Sequence, residues 1–202
     1  MQTTIDPPSR PTSVGQTDAY LAAQQYVATQ IDPTFTVVKN GFDDGKLLGR
    51  EMWRFCICCQ QDPLAVLTVD AQNGQVIEFT QDEIRVAREK AAIYAARKQG
   101  VLPMNEQGYV VGEYARRAAD GYLGDTIGMF FNAVDPVFLL GNPPRWQVTI
   151  VFKRYYLGPF TLGVMDVDAQ TGEPIPLTNK QIHKFKERAR AIVEFQTQTA
   201  AA

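Results

Sequence analysis

Two stretches of this 202-residue chain are versions of one another. Val69-Asp-Ala-Gln-Asn-Gly-Gln-Val-Ile-Glu-Phe-Thr80 returns as Val167-Asp-Ala-Gln-Thr-Gly-Glu-Pro-Ile-Pro-Leu-Thr178, at an offset of 98 positions. Val69, Asp70, Ala71, Gln72, Gly74, Ile77, Thr80 and Ile84 all recur at that offset. Upstream, Trp53 and Trp146 open comparable apolar runs at an offset of 93, so the second copy holds about five extra residues, most simply in a hairpin around Tyr155–Pro159. The length allows one large domain or two small ones, and the repeat selects two.

Each copy reads as helix, strands, helix. An opening helix is predicted over about Asp18–Gln30, where Tyr20, Ala23, Val27 and Ile31 line one buried stripe, and over about Gln107–Tyr122, with Val111, Tyr114/Ala115, Ala118 and Tyr122. Asp32-Pro33 and Asp135-Pro136 favour extended or turn backbone, because proline disfavours the helical region for its predecessor. Strands are predicted at Phe35–Lys39, Arg50–Gln60, Leu64–Asp70 and Gln75–Phe79, with turns at Asp43-Asp44-Gly45, Asp62-Pro63 and Asn73-Gly74. The second copy offers Met129–Leu140, Arg145–Arg154, Phe160–Asp168 and Glu173–Leu177, where Pro174 and Pro176 make the last strand an edge or an abortive one. Thr80-Gln-Asp-Glu83 and Thr178-Asn-Lys-Gln181 match the capping box that starts a helix. The closing helices repeat a stripe: Ile84, Ala87, Ala91, Tyr94 and Ala95 against Ile182, Phe185, Ala189, Ile192 and Val193. The expected organisation is therefore a flexible tail over 1–17, units over 18–100 and 101–195 meeting at Gly100 and Pro103, and a second tail over 196–202.

A helix followed by strands with an aromatic start and a "VDAxxGxxI" hairpin resembles the PepSY domain and the wider cystatin-like α+β folds. The residues that carry the resemblance are Trp53/Trp146, Asp70/Asp168, Ala71/Ala169, Gly74/Gly172 and Ile77/Ile175. It implies an α+β protein of two tandem cystatin-like units, each an antiparallel sheet packed on helices. It also implies a bacterial binding, inhibitory or regulatory module, and it brings no catalytic residue to any position of this chain.

The candidate chemistry is sparse. Three cysteines and one histidine exclude a disulfide framework and any site that needs two histidines. On the strand Arg50–Gln60, alternation places Trp53, Phe55, Ile57 and Cys59 on the core face and Arg54, Cys56, Cys58 and Gln60 on the outer one. A pair of thiolates could hold a metal, but a structural zinc wants four ligands, so no metal and no cofactor is expected. Asp166 and Asp168 share a strand face and could do acid–base work, yet the recurrence of Asp70 at Asp168 favours a turn role. His183 lies on a helix rich in Lys and Arg, and Gly121, Gly124 and Gly128 lack the Lys-Ser/Thr of a phosphate loop.

Composition excludes more than it selects. With 20 Lys+Arg against 22 Asp+Glu, no bulk charge draws the chain to nucleic acid or to an anionic membrane. No apolar run approaches the ~20 residues of a membrane span, and the first residues lack a secretory apolar segment, so a soluble cytoplasmic protein is expected. What remains is surface. The outer faces carry Arg54, Cys56 and Cys58 beside Leu64, Val66 and Thr68, and Gln147, Thr149 and Val151 beside Leu162, Val164 and Asp166. A solvated face should alternate to polar residues, and these are half apolar, so they are expected to be covered. The run Met129–Trp146, with Phe138 and Leu140, is also richer in apolar residues than one strand face requires. The expected function is a non-enzymatic interaction module that binds another protein or itself through Arg54, Cys56, Cys58, Val66, Phe138, Leu140, Thr149, Val151 and Val164. The alternative is a small-ligand carrier or enzyme with a pocket between helix and curved sheet.

Overall fold

The computed structural model describes residues 14–43, 50–154 and 158–200. Most of the N-terminal tail, the centre of the turn at Asp43-Asp44-Gly45 and the middle of the hairpin at Tyr155–Pro159 lie outside the described residues. The chain is α+β and forms two compact units, Met1–Ala91 and Ala92–Ala202.

In the first unit, helix α1 (Gln16–Tyr26) runs on as a wider π-helical segment, Val27–Ile31. Strands β1 (Thr36–Asp43), β2 (Met52–Cys59), β3 (Asp62–Asp70) and β4 (Val76–Ile77) make an antiparallel sheet in sequence order. Helix α2 (Gln81–Gln99) follows. In the second unit, helix α3 (Gly112–Thr126) precedes strands β5 (Phe131–Leu139), β6 (Arg145–Phe152) and β7 (Phe160–Asp168), again antiparallel and in order, and helix α4 (Asn179–Ala200) closes the chain. The predicted strand Glu173–Leu177 is reduced to one bridge, Val167 to Pro174, since neither proline can donate to a ladder.

Several boundaries differ from the sequence reading. Helix α1 starts at Gln16, inside the expected tail, and α4 continues through Ala200, beyond the expected end at 195. The units divide within α2 rather than at Gly100. That helix buries Ile84 and Ala87 in its first half and Ile93 and Ala96 in its second, while Ala95 is exposed. Ile84 and Ile93 are about half a turn apart around the axis, so a single stripe does not describe it. The β2–β3 turn is Gln60-Gln61, both at positive φ as a two-residue hairpin demands, and Asp62-Pro63 belongs to β3. Asp135-Pro136, inside the predicted strand Met129–Leu140, forms a bulge in β5, with Asp135 at φ 50°.

The cores follow one plan. Ala19, Ala23, Val27 and Ile31 bury one line of α1, with Tyr20 half-buried beside it. Ala115, Ala119 and Leu123 do the same for α3, leaving Ala118 and Tyr122 on its flank. These lines pack on the inner faces of the sheets, Phe55, Ile57, Leu67 and Val69 in one unit and Val148, Ile150, Met165 and Val167 in the other. Both capping boxes close. Thr80 and Thr178 donate their backbone N–H to Glu83 and Gln181 at 2.8 Å, and accept the return bond through their hydroxyls.

A shared set of long-range hydrogen bonds ties each unit. Tyr26 and Tyr122 accept through their hydroxyls from the backbone N–H of Phe79 and Leu177. Lys90 and Arg188 donate to the carbonyls of Leu64 and Leu162. The open edge of each sheet is held by an i, i+4 pair on the opening helix. In the first unit the Tyr20 hydroxyl donates to Val37 O at 3.3 Å and accepts from Gln24 at 2.8 Å. In the second, Asp120 accepts from Ala133 N–H while Arg116 donates to Ala133 O at 3.3 Å and pairs with Asp120 at 2.6 Å.

Trp146 is buried and Trp53 only half-buried, although each indole donates to a backbone carbonyl, of Val110 at 2.9 Å and Val14 at 3.1 Å. Trp146→Ala is therefore expected to cost about 3–5 kcal/mol and Trp53→Ala less, measured by denaturant midpoints; equal losses would contradict this assignment of burial. Gly74 and Gly172 both sit at φ 72°, where a side chain is strained. A Cβ at Gly172 would also come within 2.5 Å of the Tyr114 ring, against 3.4 Å from Val14 at Gly74. Gly172→Ala should lower the melting temperature more than Gly74→Ala.

Candidate functional site

The outer sheet faces are built from strands whose registers match. In the first unit Val38, Cys56 and Val66 form one row across β1, β2 and β3, and Arg54 sits beside Thr68, which in turn pairs with Ile77. In the second unit Val134, Thr149 and Val164 form the corresponding row, and Val137, Gln147 and Asp166 the next. Val66 is 47% exposed and Val164 46%. Val38, Ile77, Val137 and Ile175 are exposed as well. Arg54, Cys56 and Thr149 are half-buried between these side chains.

Four residues of the expected outer faces are buried instead. Leu64 and Leu162 are core residues because β3 and β7 each bulge there: the pairing steps from Ile57–Ala65 to Cys58–Pro63, and from Ile150–Gly163 to Val151–Thr161. The extra residue of a bulge re-aims its side chain, a shift that alternation alone does not reveal. Cys58 and Val151 stand at equivalent places next to these bulges and are 6% and 5% exposed, too little for a contact surface. Conversely Cys59, expected in the core, is only half-buried at the end of β2. Phe138 packs its ring on Trp146 and Tyr109, with centroids 5.2 and 5.0 Å away, whereas Leu140 is 85% exposed.

The carboxylates are spent on structure. Asp70 accepts the N–H groups of Gln72 and Asn73 at 2.8 and 3.3 Å, and Asp168 those of Gln170 and Thr171, both at 2.8 Å. The bond from Thr171 holds the Asp168 carboxyl below its ordinary value. Asp166 is taken by Arg145 at 3.1 Å and by Gln147. His183 lies on the surface beside Glu187 at 3.3 Å. Among the described residues, no group of three or more His, Cys, Asp or Glu side chains gathers as a metal ion requires.

The sequence reading missed one polar cluster, on α3. Glu113 is the only buried charged residue among those described and accepts from Arg116 at 2.7 and 3.0 Å and from Arg117 at 2.9 Å. Arg117 also lies over the Tyr94 ring, 5.8 Å from its centroid. Burial pushes the Glu113 carboxyl up, but the two guanidinium groups outweigh it and hold it below the usual carboxylate range. The spacings 113/116/117/120 were a visible signal, since i, i+3 and i, i+4 partners meet on a helix. With every oxygen answered by arginine and Arg116 bound to β5, the cluster serves as a fastening.

Comparison with models of protein families, with curated proteins and with solved structures returns no match for this chain. No helix of the described residues is long and apolar enough to cross a membrane.

Because the Glu113 carboxyl titrates lower folded than unfolded, its contribution is complete above the usual carboxylate range and vanishes as the pH falls through its folded value. The unfolding free energy should fall more steeply on acidification in the native chain than in Glu113→Gln. At neutral pH that variant should cost about 1–3 kcal/mol. Parallel acid limbs in the two proteins would show that Glu113 is not so held.

Proposed function

We propose that this chain is a non-enzymatic protein-interaction module, bacterial and cytoplasmic, built of two PepSY-like, cystatin-like units that bind another protein or a second copy through their outer sheet faces. One observation carries the reading: exposed aliphatic side chains occupy matched positions in both units, Val66 and Ile77 in one and Val164 and Ile175 in the other. A repeat kept for packing alone would be free to turn such positions polar. The fully buried Leu123, Val148, Ile150 and Leu162 fill the junction of helix and sheet in the second unit, which supports a binding surface over an internal ligand cavity. Nucleic acid and membrane are not expected partners, given the near-balanced charge.

The test is a charge on each face. Val66→Lys and Val164→Lys should fold and melt like the native chain, because the ammonium stays in water in the free protein. A desolvated, unpaired charge would be costly only in a complex. Self-association by sedimentation, and capture of a partner from the native organism, should be lost. A lowered melting temperature with association unchanged would remove the reading.

A further inference from the structure

The first unit carries two thiols on one sheet face. Cys56 and Cys58 are two apart on β2, so their side chains project to the same side, and the sulfurs lie 3.5 Å apart with the Cys58 thiol donating to Cys56. Cys59 projects to the opposite side and has no share in the pair. The fold does not need sulfur here, since the second unit places Thr149 and Val151 at the equivalent register positions.

The pairing on the β3 side is irregular at this point. The register with β3 shifts between Ile57 and Cys58, and β2 ends one residue later, before the Gln60-Gln61 turn. Cα atoms two apart on a strand are about 6.6 Å from each other, near the upper limit that a disulfide spans. The extra residue, Leu64, is on β3, and β2 keeps its register with β1 through Cys56 and Cys58, so closure requires β2 to contract locally beside the bulge. Cys56 is half-buried and Cys58 buried, so a reagent in solution meets Cys56 first.

We propose that Cys56 and Cys58 form a dithiol–disulfide couple that exchanges with low-molecular-weight disulfides. The Cys56 thiolate attacks one sulfur of the disulfide, forming a mixed disulfide and releasing one thiolate. The Cys58 sulfur, on losing its proton, attacks Cys56 Sγ, forms the Cys56–Cys58 bond and expels the second thiolate. Two protein thiols give up two electrons and two protons, and the small disulfide is reduced to two thiols. Burial and the bond to Cys56 push the Cys58 thiol up to about 11, so it keeps its proton while Cys56 reacts, and this sets the order of attack.

The test exposes the full chain to glutathione disulfide, then alkylates free thiols and maps them by peptide mass spectrometry. The expected product carries label on Cys59 alone, with Cys56 and Cys58 joined in a peptide two hydrogens lighter, and dithiothreitol restores three labelled thiols. Cys58→Val, which borrows the residue of the second unit, should hold glutathione on Cys56 without closing. Cys56→Thr should take up no glutathione at Cys58. Three labelled thiols after exposure, a stable glutathione adduct on the native chain, or a covalent dimer would each overturn the proposal, and none of these readouts depends on the variants folding.

Discussion

Each unit hangs on one small residue at the end of its third strand. Ala71 donates its N–H to Glu51 O and accepts from Val14 N–H; Ala169 donates to Pro144 O and accepts from Val110 N–H. The carbonyls of Val14 and Val110 then accept the tryptophan indoles. Three chain segments, the run into the opening helix, the start of the second strand and the end of the third, are thereby joined at a point with no exposed surface. Such a junction leaves no space for a larger side chain and no alternative partner for its backbone groups. It explains why the repeated motif reads Val-Asp-Ala. The valine is core, the aspartate holds the turn, and the alanine is small enough to let two other strands of backbone approach.

That junction also explains what could be read from the chain alone. Alternation and turn chemistry are local, so the long strands, the capping boxes and the turn role of Asp70 and Asp168 were legible. The inner faces followed from Trp53 and Trp146, although only Trp146 is buried. The misplacements of Leu64, Leu162, Cys58 and Val151 share one cause, a bulge that inserts a residue into the third strand of each unit, beside Pro63 in one and Gly163 in the other, where alternation alone does not show it. The division inside α2 was hidden for another reason. Helix propensity runs unbroken from Gln81 to Gln99, while the side it buries changes midway. Val66 and Val164 lie on the regular side of the bulges and are exposed.

The two units meet the same mechanical demand with different chemistry. The edge strand is held by neutral hydrogen bonds through Tyr20 and Gln24 in the first and by an ion pair through Arg116 and Asp120 in the second. The closing helix reaches back to the third strand with Lys90 in one and Arg188 in the other. A repeat that keeps the contact and exchanges the atoms that make it places the constraint on geometry rather than on residue identity. Sequence identity between the copies therefore survives chiefly at the turn.

The treatment of β5 has a consequence for how this protein can be recognised at all. Phe131 N–H bonds to Gly128 O, the N–H and carbonyl of Ala133 are taken by α3, and the strand then bulges through a proline that has no N–H. Along Phe131–Pro136 an incoming extended peptide would find these backbone groups already taken or missing. An intruding chain would have to displace a guanidinium and a carboxylate already bound to each other. On this edge of the sheet the second unit is therefore addressed through shape and side chains rather than through main chain.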